Sequence, residues 1–134
     1  MNIIDLLWDD FKEHFAFKKE EYIKIADFCN KNCKEMQDIV LQTADELTEN
    51  TFLFRLPWDM EATNEPVNFG EKIKWNYSFN EDEEFIFQLN RHRYWICLGQ
   101  AFWIKQNDIY VKTFLNQLLD WINENIDIEV DGGI

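Results

Sequence analysis

Apolar residues recur at helical spacing in the first third of the chain. Residues 2–15 predict a short amphipathic helix, and residues 19–30 and about 33–49 predict further helix with a break near Asn30–Asn32. The apolar stripe of the first helix consists of Ile3, Ile4, Leu7, Phe11 and Phe15. The stripe of the last piece consists of Ile39, Val40, Thr43 and Leu47. This part of the chain is therefore predicted to be helical.

Helical periodicity stops between residues 50 and 79, where both prolines, Pro57 and Pro66, are found. The stretches TFLFRLPW and EKIKWNYSF look extended, and polar and apolar residues alternate from Lys72 to Trp75. A segment of this length without helix is unusual inside a compact domain. Such segments are usually functional, or they pack as an ordered loop.

Helix returns after residue 79 with clear boundary signals. Asn80 is a good N-cap, and Glu83 completes a capping-box pattern, so a single helix is predicted from about residue 81 to Lys105. The four acidic residues at its start are explained by the positive end of the helix dipole. Asn107 is predicted to cap a last helix over about 108–124. The short connection makes these two helices an antiparallel hairpin.

The helix predicted to end at Lys105 is apolar on both sides. One side carries Phe85, Leu89, Ile96 and Trp103, and the other carries Phe87, Tyr94, Leu98 and Ala101. A helix that is apolar all round is buried all round. We therefore expect it to lie centrally, with other helices on both sides.

Composition supports one compact domain, because the chain has 134 residues of which 46% are hydrophobic. The 26 acidic residues outnumber the 13 basic ones, which gives a net charge of −13 and argues against nucleic acid as a partner. Yet no carboxylate occurs from Phe85 to Gln106, where Arg91 and Arg93 flank His92. This local positive charge needs a physical reason, because burying an unpaired charge costs several kcal/mol.

Two interpretations of these polar residues remain open. Gln88, Arg91, His92 and Trp95 share one face of the predicted helix, and they would suit an anionic, hydroxyl-rich ligand. The stretch RLPWDME, from Arg55 to Glu61, again combines arginine, tryptophan and carboxylates. Alternatively, both regions are structural: the basic residues pair with acids elsewhere, and the tryptophan of the loop fills the core.

Other sequence features favour no metal, cofactor or membrane segment. Cys29, Cys33 and Cys97 lack a fourth zinc ligand at recognisable spacing, so reduced, partly buried thiols are expected. The N-terminus has no basic region typical of a signal peptide, and no apolar run approaches the roughly 18 residues that span a bilayer. As it stands, the chain is interpreted as cytoplasmic.

Several linked motifs resemble the N-terminal region of the heparinase II/III-like polysaccharide lyases. They are PWDME, EPVNFGEKIKW with its Ile-x-Trp, the Leu-Asn-Arg-His element, the following Leu-Gly, and Phe-x-x-Gln-x-x-Asp-Trp. They follow one another in the right order over about residues 50–125. A chain of linked motifs is far more specific than any single one.

The resemblance implies a mainly α fold, in which α/α helical hairpins form part of an incomplete toroid that a β-sandwich normally follows. It implies β-elimination on uronic-acid polysaccharides, heparan-sulfate-like or alginate-like, without a cofactor. The whole chain, 1–134, is then one domain that holds the N-terminal part of the toroid. The family's catalytic residues lie further along the chain than its end at IDIEVDGGI. Relatives are often exported, and this chain departs from them in lacking a signal peptide.

By this resemblance the chain contributes substrate binding rather than catalysis. The residues expected to bind are Gln88, Asn90, Arg91, His92, Trp58, Asp59 and Glu61. The expected partner is an anionic polysaccharide, and exposed apolar helix faces are expected to cause self-association. The alternatives are a non-catalytic glycan-binding or assembly module, or a truncated, inactive reading frame.

Overall fold

The computed structural model describes residues 13, 16–59, 62–63, 65–78 and 83–131. Its helices are α1 (Lys19–Asn32), α2 (Lys34–Thr48), α3 (Glu83–Arg91), α4 (Trp95–Lys105) and α5 (Ile109–Asp131). Its strands are β1 (Thr51–Phe52) and β2 (Val67–Asn68). The mainly α class predicted from sequence is therefore confirmed. Apart from Glu13, the helix predicted over 2–15 lies outside the described residues, as does the N-cap predicted at Asn80.

Helices α1 and α2 are separated by a single non-helical corner residue, Cys33. This residue has φ −126° and ψ 39°, and its backbone N–H donates to the Cys29 carbonyl at 2.9 Å. The predicted break near residues 30–32 is confirmed within a residue or two. Helix α2 buries Val40, Thr43 and Leu47 of the predicted stripe, together with Ala44, whereas Ile39 of that stripe is 37% exposed.

The segment from residue 50 to residue 78 has no helix among its described residues. Its only regular structure there is one antiparallel pairing, with Thr51 opposite Asn68 and Phe52 opposite Val67. Lys72 to Trp75 form no strand: Lys72 lies in a bend, Trp75 lies in a turn, and the two residues between them have no regular secondary structure. The alternation nevertheless reports burial: Ile73 and Trp75 are buried, whereas the two lysines are exposed.

Helix α4 occupies the centre of the described structure. It packs against α1, α2 and α5, and it buries Cys97, Leu98, Ala101 and Phe102. The predicted central position is therefore confirmed. Burial on all sides is not, because Phe87 of α3 and Ile96 of α4 are about half exposed. None of the helices described here is long and apolar enough to cross a membrane.

The single helix predicted to end at Lys105 is wrong, because it is interrupted at His92. This residue has φ +59°, in the left-handed region, and separates α3 from α4. The hairpin prediction holds for α4 and α5, which pack together. Asn107 has the capping role expected of it, since its Oδ1 accepts a hydrogen bond from the Ile109 N–H at 3.1 Å.

Candidate ligand-binding site

The turn between α3 and α4 is held by a tyrosine. The buried Tyr94 hydroxyl donates to the Leu89 carbonyl at 2.8 Å, and burial raises the Tyr94 pKa well above its usual value. That carbonyl lies in the last turn of α3, where helical partners run out. A non-glycine residue in the left-handed region, such as His92, costs on the order of 1 kcal/mol and persists only where its surroundings fix it.

Three tryptophans surround the His92 ring, and we call them the indole frame: Trp75, Trp95 and Trp121. The Trp95 ring stacks on the imidazole with centroids 3.9 Å apart and planes 7° apart. Trp121 and Trp75 meet it edge to face, at 4.6 Å and 5.8 Å. The imidazole is thus fixed by flat rings from three parts of the chain.

Every indole N–H of the frame donates to a side-chain oxygen. The acceptors are Asp120 Oδ2 for Trp75 at 2.9 Å, Gln117 Oε1 for Trp95 at 2.9 Å, and Asn90 Oδ1 for Trp121 at 3.0 Å. Gln117, Asp120 and Trp121 lie at helical spacing along α5. One side of α5 therefore sets the orientation of the frame.

Asn90 joins the frame to α3. Its Nδ2 donates to the Trp75 carbonyl at 2.7 Å and to the Ile86 carbonyl at 2.8 Å, while its Oδ1 accepts from Trp121. The amide thus has partners on both its nitrogen and its oxygen. Asn90 acts on the predicted site by holding the turn, through contacts made inside the chain.

His92 is held as a neutral imidazole. Burial lowers the pKa of its side chain to about 4, because desolvation disfavours the charged form. Its Nε2 is buried and has no hydrogen-bond partner among the described residues. The positive charge of this segment near neutral pH therefore resides on the arginines.

Arg91 and Arg93 are exposed on either side of His92. The Arg91 Nη1 lies 2.9 Å from Glu84 Oε1, its guanidinium carbon lies 5.8 Å from the centre of the Phe87 ring, and its side chain is 40% exposed. A surface ion pair of this kind contributes about 0–1 kcal/mol, so a ligand carboxylate can replace Glu84. The turn thus presents two guanidinium groups that suit anions.

The loop predicted from RLPWDME meets the turn through Arg93. Its Nη1 donates to the Trp58 carbonyl at 2.9 Å. Asp59 Oδ2 accepts from the Leu56 N–H at 2.7 Å. Burial raises the Asp59 pKa, against backbone hydrogen bonds and the Arg93 charge, which lower it. The Trp58 Nε1 is buried without a partner among the described residues, and Glu61 lies outside them.

The predicted residues separate into two groups. Gln88 and Asn90 face inward, and Gln88 is 5% exposed, whereas Arg91 faces outward. The break removes His92 from the helical face expected for it with Gln88 and Arg91, which both lie in α3 but differ in burial. Gln117 and Asp120 were not among the predicted site residues, although both belong to the Phe-x-x-Gln-x-x-Asp-Trp motif, which was their signal in the sequence. No group of three or more His, Cys, Asp or Glu side chains could hold a metal in the described part of the chain.

Comparison with known proteins gives a match to a protein family and a match to an individual protein. The sequence model described as Heparinase II/III N-terminus matches residues 11–131. A heparin-sulfate lyase of Bacteroides stercoris is 31% identical over 88 residues, which are 66% of this chain and 12% of the lyase. The aligned region is thus a small share of that relative's length. No solved structure matches the chain significantly.

Proposed function

Because this chain belongs to the heparinase II/III N-terminal family, we propose that it is the substrate-binding N-terminal part of a polysaccharide lyase. The substrate is an anionic, uronic-acid-containing polysaccharide, heparan-sulfate-like or alginate-like. The chain forms one domain, part of an α/α toroid. The rest of the toroid, a β-sandwich and the base and acid of the reaction belong to a longer protein.

The observation that carries this proposal is the turn at residues 91–93. Two exposed arginines flank a neutral histidine there, within a stretch that has no carboxylate from Phe85 to Gln106. β-Elimination requires donors at the uronate carboxylate, because the proton at C5 is not acidic until that charge is neutralised. Arginine binds carboxylate and sulfate groups bidentately.

The predicted residues take different roles in this proposal. Arg91 contacts the anionic groups directly, and Trp58 binds from the loop that Arg93 joins to the turn. Glu61, which lies outside the described residues, is proposed to bind as well. The inward-facing residues position them: Asn90 and His92 through the indole frame, and Asp59 by fixing its own loop. Gln88, which is buried, supports the turn from the α3 side.

A binding experiment with paired ligands tests the proposal. Calorimetry of this chain with a heparan sulfate oligosaccharide and an alginate oligosaccharide should show binding that weakens as salt rises, because surface charges are screened. The same oligosaccharides with their carboxylates reduced to alcohols should bind more weakly. Equal affinity for intact and reduced ligands, or no binding to either, would contradict the proposal.

A non-catalytic glycan-binding module is the second candidate, since the aligned region is only 12% of the lyase. Absorbance of unsaturated uronate products separates it from the first. If the chain is part of a lyase, the longer protein should release unsaturated products and this chain alone should release none. Oligosaccharide binding by the longer protein and by this chain, without products from either, would favour the glycan-binding module.

Self-association is part of the proposal and rests on exposed apolar side chains. Ile25, Phe28, Met36 and Ile96 are each between 42% and 61% exposed, although α1 and α2 already pack on α4. Large exposed apolar patches often mark interfaces. Light scattering at moderate salt should show dimers or larger species, whereas a clean monomer with a cooperative melt would contradict this.

A further inference from the structure

Three sulfur side chains lie together at the corner between α1 and α2. Cys29, Cys33 and Met36 are four and three residues apart, the spacing that places side chains on one side of a helix. All three line one groove of about 520 Å³ between α1, α2 and α4. Neither the indole frame nor the arginine turn contributes to this groove.

The corner keeps the two cysteines one helical turn apart. The Cys33 N–H donates to the Cys29 carbonyl at 2.9 Å, and both side chains line the groove. Both cysteines are free, Cys33 is exposed and Cys29 is partly so. Met36 is 42% exposed, so its thioether is accessible from the same side.

We propose that Cys29, Cys33 and Met36 form a binding site for a soft monovalent metal ion, Cu(I). Thiolate and thioether sulfur atoms are the ligands that Cu(I) selects among protein donors. Cu(I) is satisfied by two or three sulfur ligands, whereas a structural zinc site needs four. The absence of a larger His, Cys, Asp or Glu cluster in the described residues therefore does not count against Cu(I).

Cu(I) binding at these three residues balances in protons, charge and oxidation state. The two thiols lose one proton each and form two Cu–S bonds, the Met36 sulfur donates a lone pair, and the copper keeps its oxidation state. The complex thus carries one negative charge and two protons are released. No oxidant or reductant is consumed.

The groove supplies suitable surroundings for such a complex. Its other walls are mostly apolar, with Ile25, Val40, Ile96 and Ile104, and they also include the polar side chains of Tyr22, Gln37 and Gln100. Sulfur ligands without a carboxylate among them favour a soft ion of low charge over Mg²⁺ or Ca²⁺, which take mainly carboxylate and other oxygen ligands. The exposed Cys33 leaves a route by which the ion can enter.

Competition for Cu(I) under anaerobic, reducing conditions tests the site. The whole chain should withdraw one Cu(I) per molecule from a chromophoric chelator, measured as loss of the chelator complex's absorbance. Cys33→Ser should lower the affinity by at least about 100-fold, beyond the 10–100-fold typical of residues outside a ligand set. Met36→Leu, which conserves volume, should lower it by about 10-fold.

A relocated thiol is the matched control. The double variant Cys33→Ser/Lys31→Cys keeps three cysteines but moves one off the face of Cys29. It should bind no better than Cys33→Ser, with circular dichroism showing an unchanged fold. Affinity equal to that of the natural chain, or no Cu(I) uptake by the natural chain, would overturn the proposal. An unchanged affinity in Met36→Leu would overturn the assignment of Met36.

Discussion

Two surfaces of α4 are built differently. At its N-terminal end, the indole frame joins four parts of the chain through directional hydrogen bonds, so each ring has one orientation. Along its exposed side, α4 contributes Ile96, Gly99 and Gln100 to a mainly apolar groove that the other helices of the described residues leave open. The comparison indicates that polar contacts fix the geometry of the candidate site, whereas the groove leaves an adaptable surface.

The largest expected loss of stability follows from changing Gln117, whose buried amide accepts a hydrogen bond from Trp95 of the indole frame. Its Oε1 accepts from Trp95, and its Nε2 donates to the Leu47 carbonyl and Asn50 Oδ1. Gln117→Leu leaves these groups unpaired, so the free energy of unfolding should fall by about 3 kcal/mol. Urea denaturation measures this.

Gln100→Leu is the matched control for that substitution. Gln100 is exposed and lies at the groove, so the same change there should alter stability by no more than about 0.5 kcal/mol. Similar losses for the two variants would mean that the frame has no special role in stability.

Acid should lower the free energy of unfolding through His92, the imidazole that the indole frame surrounds. Its folded pKa of about 4 lies below the ordinary 6.5, so between these values the unfolded chain binds a proton that the folded chain does not. Stability should therefore fall as pH drops from about 6.5 to about 4, by on the order of 2 kcal/mol after allowance for solvent screening.

His92→Leu isolates this contribution. All other titrating groups are common to both chains, so the difference between their stability curves reports His92. That difference should change between pH 6.5 and 4 and be flat above pH 7. A difference that is independent of pH would contradict the burial of a neutral imidazole.

The smallest effect is expected at the groove. Gly99 lies within α4, and an added Cβ would meet no heavy atom within 4 Å. Gly99→Ala should therefore stabilise the fold by about 0.5–1 kcal/mol through backbone entropy, which thermal unfolding would show as a higher Tm. A lower Tm would mean that something covers this surface.

Local signals in the sequence predicted the helices well. The corner at Cys33, the cap at Asn107 and the irregular segment after residue 50 all follow from residue type and spacing. The break at His92 could not be predicted in this way, because no glycine or proline marks it. It depends on ring contacts with Trp75 and other distant residues.

The candidate site was predicted only in part, because some of its contacts join residues that are distant in the sequence. The Asn-Arg-His element and the tryptophan loop were recognised from their motifs, and Arg93 joins them. The division into inward and outward residues was not, because it depends on how α3 packs against distant residues such as Trp75 and Trp121. Partners such as Trp75 and Asp120 are 45 residues apart, and no spacing rule connects them.

The central claim is that the arginine turn binds an anionic sugar, and its most direct test is paired measurement of affinity and stability. Arg91→Ala and His92→Ala should weaken oligosaccharide binding in the longer protein more than they lower stability. For Arg91 we expect about a 10-fold loss of affinity or more, with little change in Tm. Lys112→Ala removes an exposed cation elsewhere on α5 and should change neither. A sharp drop in Tm with unchanged affinity per folded molecule would show that these residues are structural.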